Sequence, residues 1–232
     1  SAGFVMTTAS SKRSPESNVR AVLYGAGCLL ATSIATAAEL SPLEQLGKQL
    51  FFDANLSNPA GQSCASCHAP DAGFSGPVSA TNRDTGVYPG AAPGKFGNRK
   101  PPSAAYASFS PKRSLEGDTY SGGQFWDGRA DTLVDQAKGP FLNPLEMNNA
   151  TPWDVVEKVQ QADYRALFEQ VYGAGALQVD ALDAPQVFDQ IARAIAAYEG
   201  SQEVNAFSSK YDAFLAGRAS LTPQEQRGLE LF

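Results

Sequence analysis

The sequence predicts an all-α protein with long irregular loops, and three observations predict it. Apolar residues recur at helical spacing, most clearly Val187, Phe188, Ile191, Ile195 and Tyr198. Helix-start signals, Ser/Thr-Pro followed by an acidic residue at the third helical position, stand at 41–44, 151–154 and 222–225. Strand-like alternation is rare, while 21 glycines and 15 prolines punctuate the chain. At 232 residues there is length for one large or two small domains with a sizeable core. A net charge of −6 offers no basic surface to neutralise phosphates, which argues against a nucleic-acid role.

Residues 1–38 read as an address. Lys12, Arg13 and Arg20 form a basic segment, Ala21 to Ile34 is an uncharged apolar run, and Ala35-Thr36-Ala37-Ala38 offers the small residues that signal peptidase cleaves. Export with cleavage is the expectation. An uncleaved anchor is the alternative, since the stretch from Ala21 to Ala38 carries no charge and is barely long enough to span a bilayer. Cys28 lies inside the run, and Ser1 to Ser11 has no evident role.

Leu40 to Phe51 opens the mature chain as a helix. Ser41 is placed to cap it, Pro42 fits the first helical position, Glu44 can bond back to the cap, and Gly47 permits close approach of a neighbour. Phe52 to Gly61 is rich in turn residues and leads into Ser63-Cys64-Ala65-Ser66-Cys67-His68. Cys-x-x-Cys-His is the attachment sequence of a c-type haem. One turn between the cysteines matches the separation of the two porphyrin vinyl groups, and the next imidazole falls under the iron. His68 is the sole histidine and Cys28 the sole other cysteine, so a zinc site lacks ligands. No βαβ pattern supports a thioredoxin-like pair, and a chance Cys-x-x-Cys on a surface turn is the bland alternative. The expected fold is therefore a cytochrome c-like haem domain, and covalent haem attachment places it on the oxidising side of a membrane, in the periplasm.

Residues 69–122 are dominated by Gly, Pro, Ser, Ala and Asn, with Phe74, Tyr88, Phe96, Tyr106, Phe109 and Tyr120 scattered through them. A loop of that length is functional or wraps a cofactor, and a porphyrin would give those rings an apolar surface. Helices are expected from Asp131 to Lys138, ended by Gly139-Pro140; from Thr151-Pro152-Trp153-Asp154, with Val155, Val156 and Val159 on one face; and from Ala162 to Tyr172, stopped by Gly173. The clearest helix runs from Asp183 to Glu199 with Gly200 closing it, and a weaker one covers Asn205 to Arg218. Leu221 to Phe232 then repeats Leu40 to Phe51 with seven identities, including the glycine, here Gly228, and with Thr222 in the place of the Ser41 cap. Leu40 precedes Cys64 by 24 residues, so a second Cys-x-x-Cys-His is expected at the same offset beyond Phe232. The organisation expected is an address over 1–38, a first c-type haem domain over 39–220, and at 221–232 the first helix of a second haem domain.

With these elements placed, the chain resembles the bacterial di-haem cytochrome c peroxidase and MauG family over nearly all of residues 40–232. The likeness is carried by Gly47-Lys48-Gln49-Leu50-Phe51-Phe52-Asp53, by the haem turn followed by Gly73-Phe74, and above all by Gly123-Gln124-Phe125-Trp126-Asp127-Gly128-Arg129-Ala130. It continues through Gln136, Gly139-Pro140 and Asn143-Pro144-Leu145-Glu146-Met147. The resemblance implies that Trp126 relays electrons between two haems. It implies that Gln136, Pro140 and Glu146 line the distal face of the first haem, Glu146 moving a proton between peroxide oxygens. On residue type alone Trp126 reads as a core aromatic, Gln136 as an exposed helix residue, Pro140 as a helix stop and Glu146 as a solvated or capping carboxylate. Arg99-Lys100-Pro101-Pro102 departs from the family's Arg-Asn-x-Pro, placing lysine where asparagine helps hold calcium, so calcium is left open. The distal histidine that some members release on activation is absent, which suggests a site needing no such switch.

Residue chemistry also bears on the iron. An electron-transfer cytochrome normally fills the sixth position with a second His or a Met. Beyond residue 38 the sole methionine is Met147, which cannot easily face the iron if Glu146 does. An open distal side is expected, with a partly shielded Glu146 of raised pKa as acid and base. The leading reading is reduction of hydrogen peroxide with electrons from a small cytochrome c or cupredoxin, using one haem c here and a second beyond the sequence, with a homodimer as a compatible assembly. MauG-like oxidation of a protein side chain and a mono-haem carrier ligated by Met147 are the alternatives.

Overall fold

The helix α6, Ala184–Gly200, carries the centre of the domain. Its stripe Val187, Phe188, Ile191, Ile195 and Tyr198 is buried as the spacing predicts. In the computed structural model, which describes residues 39–232, α6 packs against α1 (Pro42–Phe52), α3 (Leu133–Leu142) and α4 (Pro152–Gln160). The expected address over 1–38, with Cys28, lies outside the described residues. Among the described residues no helix is long and apolar enough to cross a membrane.

The first helix forms as its signals dictate. Ser41 Oγ accepts from Glu44 N–H while Glu44 Oε2 accepts from Ser41 N–H at 2.7 Å, with Pro42 at the first position. Leu46, Leu50 and Phe51 bury its inner face, and the Phe51 ring meets Tyr198 of α6 edge-on at 5.4 Å. Gly47 permits that approach, because a Cβ there would collide with the Ala194 carbonyl oxygen of α6. Gly47→Ala is therefore expected to cost about 1–3 kcal/mol of stability, as overpacking does, read as a lowered denaturant midpoint at unchanged slope. An unchanged midpoint would mean that the α1–α6 crossing gives way freely.

The later helices keep the predicted order with shifted ends. The helix α3 does not stop at Gly139-Pro140 but runs through both to Leu142. Pro140 lies in the last turn, where its missing N–H forgoes a single helical bond, and Asn143 N–H closes the turn on Gly139 C=O at 3.1 Å. The helix α4 buries Val155, Val156 and Val159 behind a Thr151/Asp154 capping box, as read from the sequence. The helix α5 begins at Arg165 rather than Ala162 and ends at Tyr172 before left-handed Gly173. Gly200 is the last residue of α6 instead of its stop, Ser201 being the cap. The weaker helix over 205–218 shrinks to α7, Lys210–Leu215, which starts at its own Ser209/Asp212 box. Asn205 serves α6 instead, its Nδ2 donating to Glu199 C=O at 2.8 Å and Ser201 C=O at 2.9 Å. The helix α8, Pro223–Leu231, has the predicted Thr222/Glu225 box but buries no residue, and nothing lies against Gly228.

The long segment 69–122 contains the short helix α2 (Ser79–Asp84) and an exposed hairpin, β1 (Ser114–Glu116) with antiparallel β2 (Thr119–Ser121). Its rings do not all seek one cofactor. Phe74 and Tyr88 are buried, whereas Phe96, Tyr106, Phe109 and Tyr120 are exposed. Tyr106 and Phe109 instead meet Phe207 edge-on on the surface. Among the described residues the fold is thus all-α but for this two-stranded hairpin.

Candidate functional site

The attachment sequence folds as one turn of 3-10 helix, Cys64–Ser66. Ser63 and Ser66 cap each other reciprocally, and Cys67 and His68 N–H both return to Cys64 C=O, at 3.1 and 2.9 Å. This turn carries Cys64, Cys67 and His68 to the wall of one cavity of about 300 Å³. His68 Nδ1 lies 3.2 Å from Phe74 C=O. A carbonyl can only accept, so this bond calls for the proton on Nδ1, the tautomer that leaves Nε2 a lone pair to ligate a metal; Pro102 C=O also approaches the ring. Phe74 holds a left-handed backbone at φ 55°, and its carbonyl also accepts from Ala104 N–H at 3.0 Å. Burial pushes His68 below its ordinary value, which keeps the ring neutral.

Both cysteines are free. Burial pushes the Cys64 thiol far above its usual range and the Cys67 thiol up to about 11. Neutral thiols are poor metal ligands, since ligation requires the thiolate. Among the described residues no cluster of three or more His, Cys, Asp or Glu is placed to hold a metal ion.

The opposite elements bring the remaining predicted residues to the same cavity. On α3, Leu133, Gln136, Ala137 and Pro140 line it at helical spacing. Glu146 lines it from a stack of turns held by three asparagines. Asn143 Oδ1 accepts from Leu145 N–H at 3.0 Å, Asn148 Nδ2 donates to Asn58 C=O at 2.7 Å, and Asn149 Nδ2 bridges Leu56 and Phe141 C=O, each at 2.9 Å. The 89–97 loop braces this stack through Ala91 N–H to Glu146 C=O at 2.8 Å. Gly90 lies so close that a Cβ would strike Leu145 C=O. Burial pushes the Glu146 carboxyl above its ordinary value, against the opposing pull of Asn143 and the Arg129 charge. Met147 is only 3% exposed and lines the same cavity as Glu146.

The 123–130 block is a tight loop. Gly123 and Gly128 are left-handed, and a Cβ on Gly123 would meet Gly128 C=O at 2.6 Å. Trp126 lines the cavity yet is 63% exposed, its Nε1–H donating to Lys100 C=O at 2.7 Å. The reading of Trp126 from residue type alone, as a core aromatic, does not hold, since the ring is mostly exposed. Asp127 accepts from Arg99 Nη1 and Arg129 Nη1, each at 2.8 Å, and these guanidinium groups hold its carboxyl well below the carboxylate range. Arg129 also stacks over the Phe125 ring at 3.6 Å.

Sequence reasoning missed several lining residues. Gln62, directly before the attachment turn, donates to Pro89 C=O at 2.8 Å, while its buried Oε1 has no partner. Glu199 falls four residues after Ile195 on the buried stripe of α6, and a carboxyl on an apolar stripe was the available signal. Its Oε2 is likewise buried without a partner. Two free cysteines on one turn, a histidine beside them on the same cavity wall and orphaned polar atoms at Gln62 and Glu199 together fit a covalently attached haem.

The family model described as di-haem cytochrome c peroxidase matches residues 41–220. The methylamine utilization protein MauG of Paracoccus denitrificans is 38% identical over 211 residues, 88% of this chain and 53% of that protein. The cytochrome c551 peroxidase of Pseudomonas aeruginosa is 34% identical over 196 residues, 81% of this chain and 46% of that one. Among solved structures, the diheme peroxidase BthA of Burkholderia thailandensis superposes with a TM-score of 0.72 at 38% identity, covering 85% of this chain and 50% of that one. The chain spans about half the length of the relatives it matches.

Proposed function

The chain belongs to the di-haem cytochrome c peroxidase family that includes MauG, and from that premise we propose that it is the peroxide-facing haem domain of an exported peroxidase. The observation that carries this reading is the shared cavity, with His68 and its free Nε2 on one wall and Glu146, Gln136 and Pro140 on others. Cys64 and Cys67 would hold a haem c as thioethers and His68 Nε2 would ligate its iron, with Phe74 C=O fixing the ring tautomer. When bound, the haem supplies an iron that binds hydrogen peroxide and exchanges electrons.

The chain's own residues do the rest. Glu146, shielded from water, takes a proton from one peroxide oxygen and returns it to the other. Gln136 and Pro140 shape the wall beside it, Gln136 offering an amide donor and acceptor. Trp126, with its ring between cavity and solvent, receives electrons that originate in a small cytochrome c or cupredoxin and arrive by way of a second haem. The Thr222-capped α8 opens the domain that would hold that haem. Export to the periplasm supplies the compartment in which thioether attachment proceeds.

The likeness to MauG favours a second reading on the same iron, oxidation of a protein side chain. The experiment is to reduce the haem-loaded protein, mix it with hydrogen peroxide and count electrons. A peroxidase passes two from the donor protein to each peroxide and leaves no oxidised protein product. MauG-like chemistry consumes peroxide with little donor turnover and leaves an oxidised side chain in a co-incubated protein. An iron that is low-spin and indifferent to cyanide and peroxide would instead identify the carrier ligated by Met147 and overturn both.

A further inference from the structure

Two acidic side chains line the cavity among the described residues, and the proposed chemistry uses one of them. The other, Glu199, is 6% exposed and stands in the last turn of α6. Its Oε2 is fully buried with no hydrogen-bond partner, and no cation is paired with it. The unpaired carbonyls of a helix C-terminus make the surroundings still less hospitable to an anion. Asn205 holds the Glu199 backbone carbonyl and is itself held by Tyr106 N–H, which fixes the end of α6 that carries this side chain. The two carboxyls address different parts of the attachment turn. Glu199 acts on the Cys64 thiol more strongly than Glu146 does, whereas Glu146 acts on Cys67.

The charged groups on neighbouring elements are engaged elsewhere. Lys48 of α1 pairs with Glu203, Lys138 of α3 with Asp135 and Asp189, and Lys158 of α4 bonds Ser57 C=O and Asn149. From the attachment turn Cys64 faces Glu199, and elsewhere on the cavity wall stand His68, Arg99, Lys100, Arg129 and Glu146. Arg99 and Arg129 are both held by Asp127.

We propose that Glu199 is a redox-linked proton acceptor, taking one proton from solvent when the haem iron on His68 gains one electron and releasing it on reoxidation. The step balances: a one-electron reductant converts Fe(III) to Fe(II), and the carboxylate becomes a carboxylic acid, so the cavity's net charge is unchanged. The inference rests on the haem reading given above. Burial pushes Glu199 up to about 8 from an ordinary 4.5. The added positive charge of the oxidised iron lowers that value and reduction lets it rise again. The proton is therefore taken up over a window that ends near pH 8.

The test is the midpoint potential of the haem-loaded protein between about pH 6 and 9. Within the window the potential is expected to fall by about 59 mV for each tenfold drop in proton activity, the one-electron value. Glu199→Gln removes that slope and Glu146→Gln keeps it. An unchanged slope in Glu199→Gln overturns the proposal. Should that variant fail to acquire haem, infrared difference spectra of protein carrying carbon-13-labelled glutamate decide the matter. Reduction must then produce a labelled protonated-carboxyl band that persists in Glu146→Gln, and its absence overturns the proposal equally. Protein without covalent pigment overturns the haem reading and this inference together, whereas pigment with a pH-independent potential overturns this inference alone.

Discussion

A chain with Cys64 and Cys67 both replaced by alanine is expected to carry no covalent pigment and to lose most of its cooperative unfolding. The first half of that expectation is covalent chemistry, since among the described residues no other cysteine lines the cavity and the proposed thioethers are formed by these two sulfurs alone. The second half is a matter of magnitude. The cavity behind the attachment turn is about 300 Å³, and at roughly 24 cal/mol per Å³ leaving it unfilled costs at most about 7 kcal/mol. Water entering beside Glu146 and Gln62 reduces that figure, yet total stabilities of domains run only from about 5 to 15 kcal/mol. Haem loss therefore competes with the whole margin, whereas Gly47→Ala removes only part of it. A haem stain on a denaturing gel and a denaturant titration of wild type and double variant measure both halves. A double variant that still carries covalent haem, or unfolds at the wild-type midpoint, would remove the basis of the proposed function.

The sequence made some parts of this molecule legible and hid others for identifiable reasons. Local signals were read correctly where the physics is local. The Ser41/Glu44, Thr151/Asp154 and Thr222/Glu225 boxes each close on themselves within four residues. The α6 stripe follows from period alone. Helix ends failed where tertiary contacts decide them. Pro140 reads as a stop, but a proline in a final turn loses a single bond, and Asn143 N–H still closes that turn on Gly139 C=O. Asn205 looked like the start of a helix and proves to be the clamp of another.

The site divides the same way. Cys64, Cys67 and His68 are contiguous and announce their chemistry. Gln136, Pro140, Glu146 and Trp126 were reached only through the family resemblance, because their proximity is made by the asparagine-pinned turns after α3 and by the glycine-permitted loop 123–130. Neither device has a period to detect. Four of the six rings in the 69–122 loop were expected on the porphyrin and lie on the surface instead. Apolar character alone does not say which apolar surface a ring will find.

Glu146→Gln is expected to slow the reaction with hydrogen peroxide by about 10²–10⁴-fold, the range for losing a positioned acid-base group, while haem attachment and the resting spectrum stay as in wild type. Glutamine preserves the shape of the side chain, so the loss isolates the proton. The pH dependence fixes the sign. Glu146 must be ionised to accept the first proton, and burial raises its pKa above the ordinary 4.5. The wild-type rate therefore falls as pH drops through that raised value, and the acid limb disappears in Glu146→Gln. Stability runs the other way. The folded state binds the Glu146 proton more tightly than the unfolded chain does, so this residue's contribution diminishes as pH rises across the same window. A group that merely packed the cavity would move rate and stability together. Met147→Leu supplies the counterpart: it retains apolar volume but cannot ligate iron, so an unchanged spin state and peroxide rate assign Met147 to the wall. A Met147→Leu protein that turns high-spin and gains peroxide reactivity would instead show that the thioether had closed the iron, and that Glu146 has no substrate to act upon in the native chain.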